Sequence, residues 1–169
     1  EIADIVDKAT AQDAMQLPKD KINILFGGAF SNLRKNVALA HAALEIVNRE
    51  DINLIEMRGF NREQVTQLFC GCDMLLLPTK SEGSPQVLKE AMAYNCPIVA
   101  TDVADIAYLL DGVSNSYVTS FDPEDVAAKI QQVIACGERT NGRERILQLK
   151  LVNNQVAETI LAIYESILS

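Results

Sequence analysis

The chain has 169 residues, 49% of them apolar, and a formal net charge of −8. That length suffices for one domain with a complete core, and no apolar run approaches the roughly 20 residues of a membrane span. The acidic excess sets aside nucleic acid and anionic membrane surfaces as main partners, so a phosphate ligand would need a local positive site.

The cysteines say little about chemistry. Cys70-Gly71-Cys72 lacks a second pair or a nearby histidine, which argues against zinc; with Cys96 and Cys136 the thiols read as reduced and cytoplasmic. Residues 1–10 are polar and acidic, with no signal-peptide pattern.

Taken in order, the chain alternates. A helix is expected over 3–16, ending at Leu17-Pro18, followed by a strand from Ile22 to Phe26 closed by Gly27-Gly28. Val37, Ala40, Leu44 and Val47 fall at helical spacing and predict a helix over 35–49. Ile52 to Met57 alternates as a strand does, and Val65, Leu68 and Phe69 mark a short helix after it. Met74 to Leu77 is the next strand, 85–94 a helix, and Pro97 to Ala100 a strand. Asp105 to Leu110 gives one or two helical turns, and Tyr117 to Thr119 a short strand. Asp122-Pro123-Glu124 opens a helix whose apolar face is Val126, Ile130, Val133 and Ile134. Residues 143–168 are expected to be helical, broken near Asn153-Asn154. The alternation predicts an α/β domain with a doubly wound, Rossmann-like parallel sheet of about five strands.

Ligands of such sheets bind beyond the carboxyl ends of the strands. Three stretches lie there: Gly27 to Lys35, Arg58 to Asn61, and Thr79 to Val87. The richest is Ser81-Glu82-Gly83-Ser84-Pro85-Gln86-Val87-Leu88-Lys89-Glu90, in which two glutamates stand eight positions apart. Ser84 is a candidate cap and Pro85 a candidate first helical residue, which leaves the N–H groups of Gln86 and Val87 facing a ligand. Gln86 and Glu90 share one helix face. Two carboxylates suit a ligand rich in hydroxyls; the plain alternative is a solvated Glu90 and a loop Glu82. Gly28 permits close backbone approach, and Lys35 offers a point charge for a phosphate; the alternative is an ordinary strand-to-helix loop. His41 sits among Ala, Leu and Val and is expected to pack or face solvent. No metal is expected.

Glu82-Gly83-x3-Val87-Leu88-x-Glu90-Ala91-Met92-Ala93-x3-Pro97-Ile98-Val99-Ala100 resembles the donor-binding signature of retaining glycosyltransferases with the GT-B fold, in particular their large fourth family. Leu25 to Lys35, Met57 to Phe60, Asp73 to Pro78 and Asp122 to Val133 resemble further segments of that family in the same order. The resemblance implies the C-terminal, donor-binding half of a two-domain enzyme, with the acceptor half outside this chain. It implies that Glu90 grips the ribose of a nucleoside-diphosphate sugar, that Glu82 holds the transferred sugar as the catalytic-site carboxylate, and that the base lies along Arg58 to Phe60. Lys35 and the N–H groups after Gly28 and Gly83, including those of Ser84, Gln86 and Val87, would meet the diphosphate. It implies no metal or cofactor, a soluble or peripherally attached enzyme of polysaccharide or glycolipid assembly, and an isolated fragment without turnover.

The chain departs from the family pattern at several points. Ala29 stands where the family carries arginine, and Pro85 removes an N–H. Asn95 replaces a glycine, Val103-Ala104 replaces a glycine pair, and Tyr108 replaces an acid. Two other readings stay open on the residues: a nucleotide-sugar epimerase of related fold, and a degenerate, non-catalytic binding module.

Overall fold

The computed structural model describes residues 4–151. Five strands form one sheet in the order β2-β1-β3-β4-β5, every pair parallel. They are β1 (Ile22–Phe26), β2 (Ile52–Glu56), β3 (Met74–Leu77), β4 (Ile98–Thr101) and β5 (Tyr117–Thr119). The chain leaves β1 outward to β2, then crosses back to β3 on the other side of β1. Loops after β1 and β3 therefore diverge and leave a crevice between them, the point at which sheets of this kind take ligands.

Side chains along a strand alternate between the two faces. Leu25, Leu75 and Leu77 enter one core with Leu68, Leu88, Met92, Ile106 and Ile146. Ile24, Phe26, Met74 and Leu76 enter the other with Ala40, Ala43, Ile130 and Val133. Helices α2 (Val37–Val47) and α6 (Pro123–Cys136) cover the second face. Helices α3 (Arg62–Gly71), α4 (Gln86–Ala93), α5 (Ile106–Leu110) and α7 (Gly142–Gln148) cover the first. A strand buried on both faces must be apolar throughout, and all four residues of β3 are buried.

Local chemistry sets the helix ends. Asp7 caps α1 (Lys8–Met15) by accepting from the N–H of Thr10 at 3.0 Å. Asn61 and Gln64 form a reciprocal capping box at the start of α3, at 2.9 and 3.0 Å. Arg139 closes two helices at once: its guanidinium donates to the carbonyls of Phe69 at 2.6 Å and Cys72 at 2.8 Å, at the end of α3, and to that of Tyr94 at 3.1 Å, at the end of α4. Orphan carbonyls at helix ends need such donors.

The expected elements all occur within the described residues, with shifted ends. The first helix begins at Lys8, not residue 3, because Asp7 caps it. The expected helix over 35–49 is divided: Leu33–Lys35 form a 3-10 turn, Asn36 adopts a left-handed conformation (φ 59°), and α2 starts at Val37. The last expected helix ends at Gln148, with Lys150 left-handed; the break expected near Asn153-Asn154, and residues 152–168 altogether, lie outside the described residues. Among the described residues no helix is long and apolar enough to cross a membrane.

Candidate functional site

Two loops meet at the crevice. The β1 loop runs through Gly27 and Gly28 to the 3-10 turn that carries Lys35, and the β3 loop runs from Pro78 to Pro85 and carries Glu82. The backbone N–H of Lys80 donates to the carbonyl of Arg34 at 2.9 Å, and the hydroxyl of Thr79 donates to the same oxygen at 3.1 Å. Thr101, at the end of β4, donates its hydroxyl to the carbonyl of Thr79 at 2.6 Å. Ends of three neighbouring strands are thus hydrogen-bonded into one platform.

On that platform the ammonium of Lys35 lies 2.6 Å from a carboxylate oxygen of Glu82, with side chains only 14% and 11% exposed. Two candidate ligand groups therefore pair with each other. Gly28 makes room for this: a Cβ there would stand 2.8 Å from Cγ of Lys35 and 3.1 Å from its Cδ. Gly28 is needed for the lysine stem lying over it, since its φ is not positive. Gly83 has open space where a Cβ would point.

Helix α4 starts one residue later than the sequence suggested. Pro85, not Ser84, is the N-cap residue, with no side-chain cap bond, and Gln86 is the first helical residue. Ser84 instead donates its hydroxyl to Asp105 at 2.5 Å, pinning the flank of the β3 loop toward β4. The first N–H groups of α4 have no intrahelical acceptor, so those of Gln86, Val87 and Leu88 supply a partial positive end to the loop that carries Glu82. Pro85 is buried and sits ahead of these groups, so its missing N–H removes none of them.

Glu90 lies one turn farther along α4 and is exposed at the rim of a cleft of about 240 Å³. Phe60, Arg62, Val65, Thr66, Phe69 and Tyr94 line the rest. Although Glu90 is exposed overall, partial desolvation at the cleft rim raises its carboxyl above the ordinary glutamate value, and the Arg62 guanidinium partly offsets this. Phe69 and Tyr94 stack at 6.2 Å between centroids, 10° from parallel. Phe60 lines the cleft, whereas Arg58 is exposed and does not; Arg62 is the cation among its lining residues. Sequence reading missed Arg62, Thr66 and Tyr94. The signal available was their spacing from Phe69 and Glu90 along α3 and α4.

Other expectations resolve simply. His41 is exposed on α2, 6.1 Å from the Phe30 ring. Gln86 and Glu90 are both exposed, as a shared helix face requires. Arg34 is exposed.

The departures from the family pattern have conformational consequences. Asn95 takes the left-handed conformation (φ 53°), which asparagine tolerates as glycine does. Ala104 takes it too (φ 53°), with no such tolerance.

Comparison with known proteins bears on the family and the fold. The chain is 27% identical over 134 residues to D-inositol 3-phosphate glycosyltransferase of Mycolicibacterium gilvum, an alignment covering 79% of this chain and 30% of the relative. The sucrose-phosphate synthase structure from Thermosynechococcus elongatus superposes with a TM-score of 0.82 at 20% identity, covering 97% of this chain and 50% of that one. Anabaena HepE, solved with UDP and glucose, gives a TM-score of 0.73 at 17% identity, covering 94% of this chain and 55% of that one. This chain thus spans less than a third of the curated relative and about half of each solved chain. The family model of the glycosyl transferases group 1 matches residues 13–136. With its five-stranded parallel sheet and its GT-B neighbours, the chain belongs to the glycosyl transferases group 1 family.

Proposed function

We propose that this chain is the donor-binding half of a retaining glycosyltransferase and takes a nucleoside-diphosphate sugar. The observation that carries the reading is the convergence, at one crevice, of Lys35, Glu82 and the open N-terminus of α4, with the Glu90-rimmed cleft alongside. The nucleoside enters that cleft, with its base against Phe60 and its ribose hydroxyls donating to Glu90. A carboxylate accepts two hydroxyl donors well, and each charge-assisted bond is worth about 1.5–3 kcal/mol. The diphosphate lies over Gly28 and Gly83, facing Lys35 and the N–H groups of Gln86 and Val87. The transferred sugar donates hydroxyls to Glu82.

In the transfer, an acceptor hydroxyl oxygen bonds to the anomeric carbon and passes its proton to the departing β-phosphate oxygen. The bond from that carbon to the β-phosphate oxygen breaks, and its electron pair leaves on the diphosphate. Charge develops where the α4 N-terminus and the Lys35 ammonium point, so these groups stabilise the departing diphosphate without requiring a metal. The acceptor site belongs to a second domain, as the two-fold greater length of the solved neighbours suggests. The whole enzyme then works at polysaccharide or glycolipid assembly on the cytoplasmic side, and this chain alone binds donor without transferring it.

Nuclear magnetic resonance shift mapping with UDP, GDP and ADP tests the reading. One nucleotide should perturb amides at Gly28, Phe60 and Gly83 to Val87. Perturbations confined to the opposite end of the sheet, near Lys8 and Asp73, would contradict it.

A further inference from the structure

Lys35 and Glu82 are 47 positions apart, yet they close to 2.6 Å and both side chains are largely buried. The loops that carry them are held in place. The stem of Lys35 is threaded over Gly28. The β3 loop is tied to the β1 loop through Thr79 and Lys80, and on its other flank through Ser84 to Asp105. The backbone that carries Glu82 is therefore fixed relative to the β1 loop on one flank and to Asp105 on the other.

On the donor-site reading, on which this inference rests, two ligands compete for that crevice. A nucleoside-diphosphate sugar has its terminal phosphate esterified, so it carries one negative charge fewer than the free nucleoside diphosphate. It also brings hydroxyl donors that compensate Glu82 when Lys35 turns to the phosphate. The free diphosphate brings none. It draws the only ammonium of the pair toward itself and leaves an almost covered carboxylate beside a more highly charged phosphate. Like charges in a poorly solvated space repel strongly, and a buried carboxylate stripped of its partner is disfavoured.

We infer that Glu82 is a specificity-determining residue that, through its pair with Lys35, makes the site prefer the sugar-bearing donor and expel the spent nucleoside diphosphate. Removing its charge frees Lys35 for the diphosphate and abolishes the repulsion.

The test is calorimetric titration of the 169-residue chain and of Glu82→Gln, each with UDP, GDP and ADP and with the corresponding glucose-bearing nucleotides. Circular dichroism checks that the variant folds, and Glu82→Ala reads the same charge removal without the amide. The expected result is that both variants bind the free diphosphate about tenfold more tightly than the parent chain, a difference of about 1.4 kcal/mol, and bind the nucleotide sugar no more tightly. If the parent chain binds a nucleotide sugar but the variants bind the free diphosphate equally or less well, this inference is wrong while the donor-site reading stands. If the parent chain binds neither ligand, the donor-site reading fails and this inference with it.

Discussion

The side chain of Lys35 lies directly over Gly28, with its Cγ 2.8 Å and its Cε 3.1 Å from where a Cβ at that glycine would stand. A methyl group at position 28 therefore displaces the lysine stem before it disturbs anything in the core. Gly28→Ala should weaken binding of a nucleoside diphosphate by roughly 1–2 kcal/mol, in the range of a lost charged hydrogen bond. Nucleoside binding should change little, and the melting temperature should stay close to that of the parent. Titration of both ligands against Gly28→Ala checks this. Equal losses for nucleoside and diphosphate would show that Gly28 serves the loop, not the lysine.

Glu90 should show opposite effects on stability and on binding. Burial raises its folded-state pKa, so the folded chain holds the proton more tightly than the unfolded one. The associated stability is fully present below the unfolded value of about 4.3 and is lost as pH rises through the raised folded value. At neutral pH the ionised carboxylate is thus a burden on the fold. Glu90→Gln should be at least as stable as the parent at pH 7, with the advantage vanishing below about pH 4. The same variant should bind nucleotide less well. Thermal melts from pH 3.5 to 7.5 give the first part, and a destabilised variant at pH 7 would contradict it.

Ala104 occupies a left-handed conformation in the turn between β4 and α5. A residue with a Cβ gives up about 1–2 kcal/mol there relative to the right-handed conformation, part of which glycine loses again to its freer unfolded chain. Ala104→Gly should stabilise the domain by roughly 0.5–1 kcal/mol, about 1–4 °C in melting temperature for a chain of this size. A lowered melting temperature would mean that the methyl group makes packing contacts worth more than the strain.

Arg139 lies far from the crevice in function but links the helices that form it. Its guanidinium serves carbonyls at the ends of α3 and α4, the two helices that wall the cleft. Arg139→Ala should cost roughly 2–4 kcal/mol of stability by urea denaturation, because three acceptors lose their donor together. A loss below about 0.5 kcal/mol, the size of an ordinary surface substitution, would show that water replaces the guanidinium at those carbonyls.

These residues also mark what the sequence makes legible. The sheet was readable because β3 is a continuous apolar run and β1 is apolar but for Asn23, as parallel strands buried on both faces favour. The Glu82–Glu90 motif was readable because its eight-residue spacing is local. The Lys35–Glu82 pair was not, since it depends on two loops 47 positions apart meeting at the crevice. Ser84 was misassigned because serine before proline is a sound cap signal, and only the fold brings Asp105 within its reach. The 3-10 turn at Leu33–Lys35 was hidden by a helical pattern that continues unbroken in the sequence, whereas Asn36 turns left-handed and separates the two. Arg139 carried no local signal at all, because its partners lie 45 to 70 positions away.

The most direct test of the donor-site account is calorimetric titration of the chain with UDP, GDP and ADP and their sugar derivatives, repeated on Glu90→Ala. The account predicts saturable binding of one nucleotide series, weakened by about 1.5–3 kcal/mol in Glu90→Ala with the fold intact. Binding that is unchanged by the substitution, or no binding up to millimolar ligand, would contradict it.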